Sequence, residues 1–203
     1  MNRIAATASI LTMSDDNAVD VRLMERIRHG DAGAFEELVE RHQRLVVGTA
    51  VRMLGNNSDA EDIAQQVFVR VWKNAQRYVP RAKFTTWLLK ITRNLVFNEW
   101  RRQSRHPQSS LEGDLEQAER PFKDEQTHPP DASLLEKELQ SAIDAAIAQL
   151  PETQRLALVL RRYEELSYEE IAEVLDQSVP AVKSLLFRAR TELRTRLSRY
   201  LTE

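Results

Sequence analysis

The chain has 203 residues, of which 42% are hydrophobic and 30% charged, and its formal net charge is −2. This composition is typical of a soluble globular protein, and the length fits one large domain or two small ones. The absence of cysteine excludes disulfides, thiolate nucleophiles and cysteine-ligated metal sites. Five glycines and seven prolines are too few for the many tight turns of an all-β fold.

The sequence gives no sign of a membrane segment. No apolar run approaches the ~18 residues that span a bilayer. The mildly apolar stretch 4–13 is interrupted by Thr and Ser, and Arg3 is its only nearby charge. We therefore expect a cytoplasmic protein with no signal peptide and no membrane insertion.

The charges are strongly segregated along the chain. Residues 70–105 carry ten basic residues against one acid, and residues 180–201 carry six against one. Residues 106–133 and residues 15–66 each have a net charge of −5. Two basic blocks indicate two contacts with a polyanion, although solvated helix faces produce the same pattern.

Apolar residues recur with a helical period in every segment outside the middle of the chain. Asp15 and Asp16 can cap a first helix, which Gly30 ends. The first four predicted helices occupy about residues 15–29, 32–54, 59–75 and 85–102. His42 lies on the apolar stripe of the second helix, so we expect a core or rim residue rather than a metal ligand.

Residues 104–133 break the helical pattern. They contain four prolines, many charges and few large apolar side chains. Such a segment buries too little surface to offset the entropy lost on ordering, which predicts a flexible acidic linker.

The C-terminal part has the layout of a helix-turn-helix. Predicted helices over 134–150 and 151–163 come first, and Ser167 and Glu170 then form a capping box before a short helix at 168–175. A turn leads to Pro180 and a last helix rich in Arg and Lys. A short helix, a tight turn and a basic helix are typical of a DNA-binding helix-turn-helix.

The last helix has two distinct faces when residues are placed at about 100° intervals. Val182, Leu186 and Ala189 fall on the face that packs. The opposite face offers a cation, a hydroxyl, an aromatic ring and a guanidinium on Lys183, Ser184, Phe187 and Arg188. These groups suit base edges and phosphates in a major groove, whereas an ordinary amphipathic surface helix is the alternative.

Between residues 77 and 100, basic residues alternate with aromatic ones. Cations for phosphates and rings for unstacked bases are typical of a single-strand-binding surface. The aromatic residues also fit a hydrophobic core, and the pattern alone leaves both interpretations open. They are Tyr78, Phe84, Trp87, Phe97 and Trp100.

Four segments that follow one another along the chain carry a family resemblance: FEELVERH, DAEDIAQQVFVRVWKN, FTTWLLKITRNLVFNEWRR and LPETQRLALVLRRYEELSYEEIAEVLDQSVPAVKSLLFRAR. Over about residues 15–103 and 134–199 the chain resembles bacterial sigma factors of the extracytoplasmic-function group, within the sigma-70 family. The resemblance implies an all-α protein of two small helical domains. Its parts would be an N-terminal extension (1–14), sigma region 2 (15–103), a linker (104–133) and sigma region 4 (134–203).

The resemblance further implies a sigma factor that binds core RNA polymerase and directs promoter-specific transcription initiation. Region 2 would recognise the minus-ten element as a single strand, with one base flipped into a pocket. Region 4 would recognise the minus-thirty-five element in the major groove. An anti-sigma factor that clamps both domains and covers the polymerase-binding face is an expected partner.

Three sets of contact residues follow from the resemblance. The expected polymerase contacts, on the helix that docks on the clamp helices of the largest subunit, are Asp59, Glu61, Asp62, Gln65, Gln66 and Arg70. The expected minus-ten contacts are Arg77, Tyr78, Arg81, Lys83, Lys90, Arg93 and Asn94, with Asn94 matching the asparagine of the base pocket. The expected minus-thirty-five contacts are Ala181, Lys183, Ser184, Phe187 and Arg188. Ala181 stands where the family often has a hydroxyl and Leu185 where it often has Arg, so the base preference departs from the commonest pattern.

The sequence supports two other functions less well than the function that the family resemblance implies. The four histidines form no i, i+4 pair with a third ligand, and there is no Gly-rich phosphate loop or nucleophile elbow, so neither an enzyme nor a bound metal or cofactor is expected. An autonomous helix-turn-helix regulator is the alternative function. It predicts tight, salt-sensitive DNA binding by the protein alone, whereas a sigma factor of net charge −2 predicts weak binding until polymerase is present.

The acidic linker suggests a further hypothesis. Its negative charge lies between two basic blocks, so it would limit premature DNA contact by screening them. The carboxylates concerned are Glu112, Asp114, Glu116 and Glu119.

Overall fold

The computed structural model describes residues 15–105 and 130–200, and no strand occurs in these two ranges. The first range contains α1 (Asp15–Arg28), α2 (Ala32–Leu54), α3 (Asn57–Asn74), a 3₁₀ turn (Ala75–Arg77) and α4 (Phe84–Arg105). The second contains α5 (Pro130–Ala148), α6 (Glu152–Arg162), α7 (Tyr168–Leu175), α8 (Val179–Arg196) and a 3₁₀ turn (Ser198–Tyr200). The predicted all-α fold class is confirmed. Within the described ranges, no helix is long and apolar enough to cross a membrane.

Local side-chain chemistry sets the ends of the first helices. Asp31 caps α2 by accepting a hydrogen bond from a first-turn backbone N–H at 3.0 Å. Gly55 ends α2 with φ +79°, a left-handed conformation that glycine adopts without strain. Helix α3 begins slightly earlier than predicted, because Asn56 rather than Ser58 caps it.

Helix α2 is the centre of the first range, where it packs against α1, α3 and α4. Leu38, Val46 and Met53 recur along one stripe of α2 and are fully buried. Val67 of α3 and Leu88 of α4 are buried in the same core. Removing side chains of this size from water stabilises the fold by about 1.5–3 kcal/mol each.

A buried carboxylate ties α1 to α2. Asp20 is 2% exposed, and its Oδ1 lies 3.0 Å from Arg41 Nε and 2.9 Å from His42 Nε2. A neighbouring cation offsets the cost of removing a carboxylate from water. His42 is thus buried, as predicted, and no three His, Asp or Glu side chains of the described ranges are placed to hold a metal ion.

The helix-turn-helix forms as predicted. In the capping box, Ser167 Oγ accepts from Glu170 N at 3.2 Å, and Glu170 Oε2 accepts from Ser167 N at 2.8 Å. Asp176 ends α7 in the left-handed conformation, at φ 52°, and Ser178 caps α8. Leu186 of α8 is buried among the side chains of the same core as Ile171 of α7.

The helices beside the predicted linker extend into it. Helix α4 continues to Arg105 and α5 begins at Pro130, whereas the sequence predicted the linker over 104–133. The other linker residues, including the carboxylates of the screening hypothesis, lie outside the described residues, as does the predicted extension 1–14. The domain boundaries given above remain predictions.

The two described ranges pack directly against each other, a contact that the sequence analysis did not predict. Helix α4 lies against α7 and α2 lies against α6, and the buried residues of both ranges form one continuous cluster. Arg155 of α6 donates from Nη1 to Met53 O at 2.7 Å, and its guanidinium lies 5.0 Å from the centre of the Trp100 ring. Burial in this contact lowers the pKa of Arg155.

A second set of side chains crosses the same contact. The guanidinium of Arg52 lies 4.2 Å from the centre of the Tyr163 ring, and Thr49 Oγ1 donates to Glu164 Oε1 at 3.3 Å. Burial raises the pKa of Glu164, and this effect exceeds the lowering by Arg52 and Thr49. The buried site therefore disfavours the ionised form of the Glu164 carboxylate.

Ser167→Ala tests the capping box. The variant removes the oxygen that accepts from the Glu170 N–H, so we expect the free energy of unfolding to fall by about 1 kcal/mol. Urea unfolding followed by circular dichroism measures this change. Ser184→Ala is the control: its hydroxyl donates to Pro180 O on an exposed turn of α8, and we expect a change below about 0.5 kcal/mol. Equal stability of the wild type and Ser167→Ala would contradict the role assigned to the cap.

Glu164→Gln tests the buried carboxylate. Because the folded-state pKa is raised, the contribution of Glu164 to stability is greatest below the ordinary glutamate pKa of about 4.3 and is lost as pH rises through the raised value. The Gln side chain keeps an oxygen that accepts from Thr49 Oγ1 but carries no charge. We therefore expect the variant to be more stable than the wild type at neutral pH, with the difference shrinking as pH falls.

Urea unfolding of both proteins at several pH values between about 4 and 7 measures this difference. Glu165→Gln, at an exposed neighbouring position, is the control. Lower stability of Glu164→Gln at neutral pH would show that the ion pair with Arg52, at 3.8 Å, outweighs the cost of burial.

Candidate nucleic-acid interface

An open pocket lies where the chain turns from α3 into α4. Its volume is about 290 Å³, near the lower end of the range for small-molecule sites. The pocket is lined by Arg70, Asn74, Arg77, Tyr78, Trp87, Ile91 and Asn94. Three of the predicted minus-ten residues therefore meet at one place: Arg77, Tyr78 and Asn94.

Arg28 of α1 fixes the turn that forms the pocket wall. Its Nη2 donates to Tyr78 O at 2.7 Å, and its Nε donates to Ala75 O at 3.4 Å. In return, Gln76 Nε2 donates to Arg28 O at 2.6 Å. These side-chain hydrogen bonds tie the turn to α1, so the pocket wall is formed by a segment held in place from two sides.

Tyr78 is a wall residue of this pocket. It is 4% exposed, and its ring meets Trp87 edge-on at 4.9 Å and Phe84 at 6.0 Å between centroids. Within the described ranges its hydroxyl has no hydrogen-bond partner, and burial raises the pKa of Tyr78 to about 12. The hydroxyl is thus protonated at neutral pH, and the ring contributes an apolar surface.

Asn94 provides the pocket with a polar edge. Its Oδ1 accepts from Arg93 Nη2 at 2.8 Å and from Arg93 Nε at 3.1 Å. This fork holds the amide in one orientation on an exposed turn of α4. An amide so held presents its N–H groups, which suit the acceptors of a nucleobase edge.

The other predicted minus-ten residues lie outside the pocket. Arg81 is exposed on the loop before α4. Lys90 and Arg93 lie on the side of α4 that meets α7, and Lys83 directly precedes α4. Each is within ion-pair distance of a carboxylate of α7 or of its C-cap. The predicted set therefore divides into a pocket group, a group that pairs with carboxylates of the α7 region, and the exposed Arg81.

Two pocket residues were missed or assigned elsewhere by the sequence analysis. Arg70 was expected to contact polymerase, and Asn74 was not singled out. Asn74 Nδ2 donates to Arg70 O, one helical turn earlier, so the two side chains share a face of α3. That i, i+4 spacing, next to the predicted Arg77, was the available signal.

The outward face of α3 carries the other predicted polymerase residues. Glu61, Asp62, Gln65 and Gln66 are exposed, opposite the buried stripe of the helix. Asp59 is the exception, because its carboxylate accepts from Asn56 Nδ2 at 2.8 Å and from Gln103 Nε2 at 3.0 Å. The hydrogen bonds that Asp59 makes at the start of α3 account for a carboxylate at this position, so no contact with a partner protein is needed to explain it.

Two large apolar side chains lie on the same outward face. Val69 is 49% exposed and Trp72 is 39% exposed, with the Trp72 ring edge-on to Phe35 at 5.1 Å. Trp72 lies at the edge of this face, where its ring packs against Phe35 and stays partly exposed. Exposed apolar groups among amides and carboxylates are typical of a protein-binding surface.

Helix α8 presents the predicted polar face to solvent. Lys183, Ser184, Phe187 and Arg188 are exposed, and Ala181 is half-buried. Phe187 is 70% exposed, although Val182, Leu186 and Ala189 on the opposite face are buried. The predicted division of α8 into a packed face and an outward mixed face is therefore confirmed.

Positive charge is concentrated around the ring of Tyr168, at the N-terminal end of α7 and beside α8. The contact of Arg190 with the Tyr168 hydroxyl lowers the pKa of Tyr168, and the charges of Arg161 and Lys183 act in the same direction. Lys183 Nζ lies 6.0 Å from the centre of the same ring, and Arg161 lies at 5.3 Å. Three cations around one aromatic ring form an anion-attracting surface.

Comparison with known protein families gives two matches. Residues 38–106 match the model of sigma-70 region 2, and residues 140–193 match that of sigma-70 region 4. The first match spans α3, the pocket and α4. The second spans the helix-turn-helix.

Individual proteins are similar over most of the chain. The RNA polymerase sigma-H factor of Pseudomonas aeruginosa is 33% identical over 188 residues, which are 91% of this chain and 96% of the relative. The ECF RNA polymerase sigma-E factor of Haemophilus influenzae is 33% identical over 90% of this chain and 97% of its own. Among solved structures, CnrH in complex with the cytosolic domain of CnrY is 26% identical and covers 89% of this chain and 97% of its own, with a TM-score of 0.64.

Substitutions at Tyr78 separate its ring from its hydroxyl. Tyr78→Phe removes a buried group without a partner in the described ranges, so we expect unfolding free energy equal to or above that of the wild type. Tyr78→Ala removes the ring between Phe84 and Trp87 and is expected to cost about 3–5 kcal/mol. Urea unfolding measures both, and a destabilised Tyr78→Phe would reveal a hydroxyl partner.

Proposed function

The chain belongs to the extracytoplasmic-function group of the sigma-70 family, and from this premise we propose that it binds bacterial core RNA polymerase and directs it to specific promoters. Proteins of this family are transcription initiation factors, not enzymes. We assign recognition of the minus-ten element to residues 15–103 and that of the minus-thirty-five element to residues 134–203. The protein would act in the cytoplasm, where polymerase meets DNA.

The observation that carries the proposal is the pocket between α3 and α4. Its walls combine the rings of Tyr78 and Trp87 with the amide of Asn94 and the cations Arg70 and Arg77. An unstacked base needs an apolar wall and a hydrogen-bonding edge, and the adjoining phosphates need cations. The pocket supplies all three, which supports its use for a flipped base of the minus-ten strand.

The outward face of α8 supports the second DNA contact. Lys183 and Arg188 provide cations, Ser184 a hydroxyl, and Phe187 an exposed ring at the N-terminal half of a helix preceded by a short capped helix. In a helix-turn-helix, these positions of the second helix enter the major groove. We propose that they recognise the minus-thirty-five element, with Ala181 making close apolar contact.

The outward face of α3 supports binding to polymerase. Gln65 and Gln66 present amides beside the exposed Val69 and Trp72, so the surface is polar with an apolar centre. We propose that this face docks on the clamp helices of the polymerase largest subunit. Arg70 lies at the boundary between this face and the pocket, where it can serve either surface.

We also propose an anti-sigma partner. The family usually has one, and the similar CnrH was solved in complex with a protein domain, the cytosolic domain of CnrY. The exposed apolar groups on α3 are the kind of surface that such a partner would cover.

DNA binding with and without core polymerase tests the proposed function against an autonomous regulator. The proposal expects weak promoter binding by the protein alone and specific binding, with transcription from a defined start site, once core polymerase is added. Gel shifts and in vitro transcription measure the two activities. Tight, salt-sensitive promoter binding by the protein alone, unchanged by polymerase, would favour the regulator.

Gln65→Ala/Gln66→Ala tests the polymerase surface. Both side chains are exposed, so the fold is expected to persist while the affinity for core polymerase falls about tenfold or more, equivalent to ~1.4 kcal/mol. Fluorescence anisotropy of the labelled protein titrated with core polymerase measures the affinity. Gln43→Ala/Arg44→Ala, on an exposed turn of α2, is the matched control. Equal affinities of all three proteins would remove α3 from the interface.

A further inference from the structure

The loop that leads into α4 is held at both ends by one helix, α1. At its first end, Arg28 Nη2 donates to Tyr78 O at 2.7 Å. At its second end, Asn17 Oδ1 accepts from Phe84 N at 2.7 Å, and Asn17 is only 7% exposed. These two contacts enclose residues 79–83, which we call the 79–83 loop.

Asn17 and Arg28 lie on the same face of α1. They are 11 positions apart, which corresponds to about three turns of an α-helix and to a separation of about 16 Å along its axis. An α-helix is stiff over this length. A short loop whose two ends are tied to such a helix has far fewer conformations than a loop tied at one end.

Helix α1 is itself fixed to the core between these two residues. Asp20 is 2% exposed and accepts from Arg41 Nε of α2 at 3.0 Å. Met24, one turn further along the same side of α1, is 1% exposed. The two ends of the loop are therefore tied to points that cannot shift independently of α2.

The ends of the loop carry the aromatic walls of the pocket. Tyr78 directly precedes the loop, and Trp87 lies one turn into α4, with their rings 4.9 Å apart between centroids. Both rings line the pocket together with Asn94. A binding site has to be held within about 0.5 Å of its productive geometry, so the separation of these rings depends on where the loop begins and ends.

The 79–83 loop has little else to order it. Four of its five residues are exposed, among them Val79 at 58% and Arg81. Lys83 forms an ion pair with Glu170, but a pair with a side chain that is 56% exposed constrains a backbone only weakly. A segment with few buried side chains is ordered mainly through its ends.

We propose that Asn17 and Arg28 are positioning residues for the minus-ten strand: they hold the 79–83 loop so that Tyr78 and Trp87 keep the separation that a flipped base requires. This inference rests on the proposed function, because it assigns a role at the same pocket to residues that do not line it. Each side chain acts through the loop and does not touch DNA.

Trypsin reports the order of the loop without DNA, because Arg81 is an exposed cleavage site within it. We expect Asn17→Ala and Arg28→Gln to be cut after Arg81 about fivefold faster than the wild type, since cleavage follows the population of the released loop. Mass spectrometry of the fragments measures the rate at this site. Arg22→Gln, which alters an exposed arginine of the same helix, is the control and is expected to match the wild type. Equal rates in all four proteins would overturn the proposal.

Strand recognition is measured with the holoenzyme of the full chain and core polymerase. Single-stranded decanucleotides of randomised sequence are bound, recovered and sequenced, and fluorescence anisotropy then gives the affinity for the strand that the wild type enriches most. We expect Asn17→Ala and Arg28→Gln each to lower this affinity about tenfold and to select a less uniform sequence. Their affinity for core polymerase is expected to stay within about twofold of the wild type, because the outward face of α3 is unchanged.

The double variant Asn17→Ala/Arg28→Gln gives a readout that a merely structural role would not move. Side chains more than about 10 Å apart usually act independently, so two separate tenfold losses would multiply to about a hundredfold. Because both residues hold one loop, releasing its second end adds little, and we expect the double variant to lose about tenfold. A loss of about a hundredfold, or an equal loss of affinity for core polymerase, would overturn the proposal.

Arg28→Gln decides the proposal by itself if Asn17→Ala does not assemble with polymerase. Arg28 is half-buried at the last position of α1, so its replacement leaves the core intact. A wild-type holoenzyme that enriches no sequence would remove the minus-ten assignment and this proposal together. A wild type and an Arg28→Gln holoenzyme that enrich one sequence with equal affinity would overturn the positioning role alone.

Discussion

Helix α4 has to satisfy two opposite environments, and the arrangement of the other helices depends on how it does so. One side of α4 supplies Leu88 and Leu95 to the core. The other side carries Lys90 and Arg93 in a segment where basic residues outnumber acidic ones ten to one. Like charges on one helix repel each other unless anions lie nearby. In the described structure those anions are carboxylates of the α7 region.

Carboxylates and phosphates would pair with the same cations of α4. A cation that binds Asp176 at 2.8 Å is unavailable to a phosphate, and the reverse is equally true. Competition of this kind needs no change in the fold of either range.

Much of the fold could be predicted because the signals are local. The period of apolar residues located the helices, and Gly30 and the Ser167–Glu170 box marked helix ends that the structure retains. The outward face of α8, including the exposure of Phe187, was predicted from the angular spacing of residues around the helix alone. These features depend on residues within one or two helical turns of each other.

The packing between the two ranges could not be predicted in this way. Arg155 binds the carbonyl of Met53, 102 positions earlier in the chain, and no periodicity connects the two. Residues at the edge of a helix stripe are hard to place from sequence for a related reason. Trp72 and Arg70 lie between the buried and outward faces of α3, so their surroundings depend on the neighbouring helices rather than on their own period.

The structure also suggests an order of events under the proposed function. The outward amides of Gln65 and Gln66 are exposed, whereas the side chain of Arg93 is only 14% exposed, so the face of α3 is open to a partner while Arg93 is covered. Phe187 on α8 is likewise exposed while α7 lies against α4. Under the proposed function, a protein whose polymerase surface is open and whose single-strand surface is covered at Arg93 would engage polymerase before melted DNA.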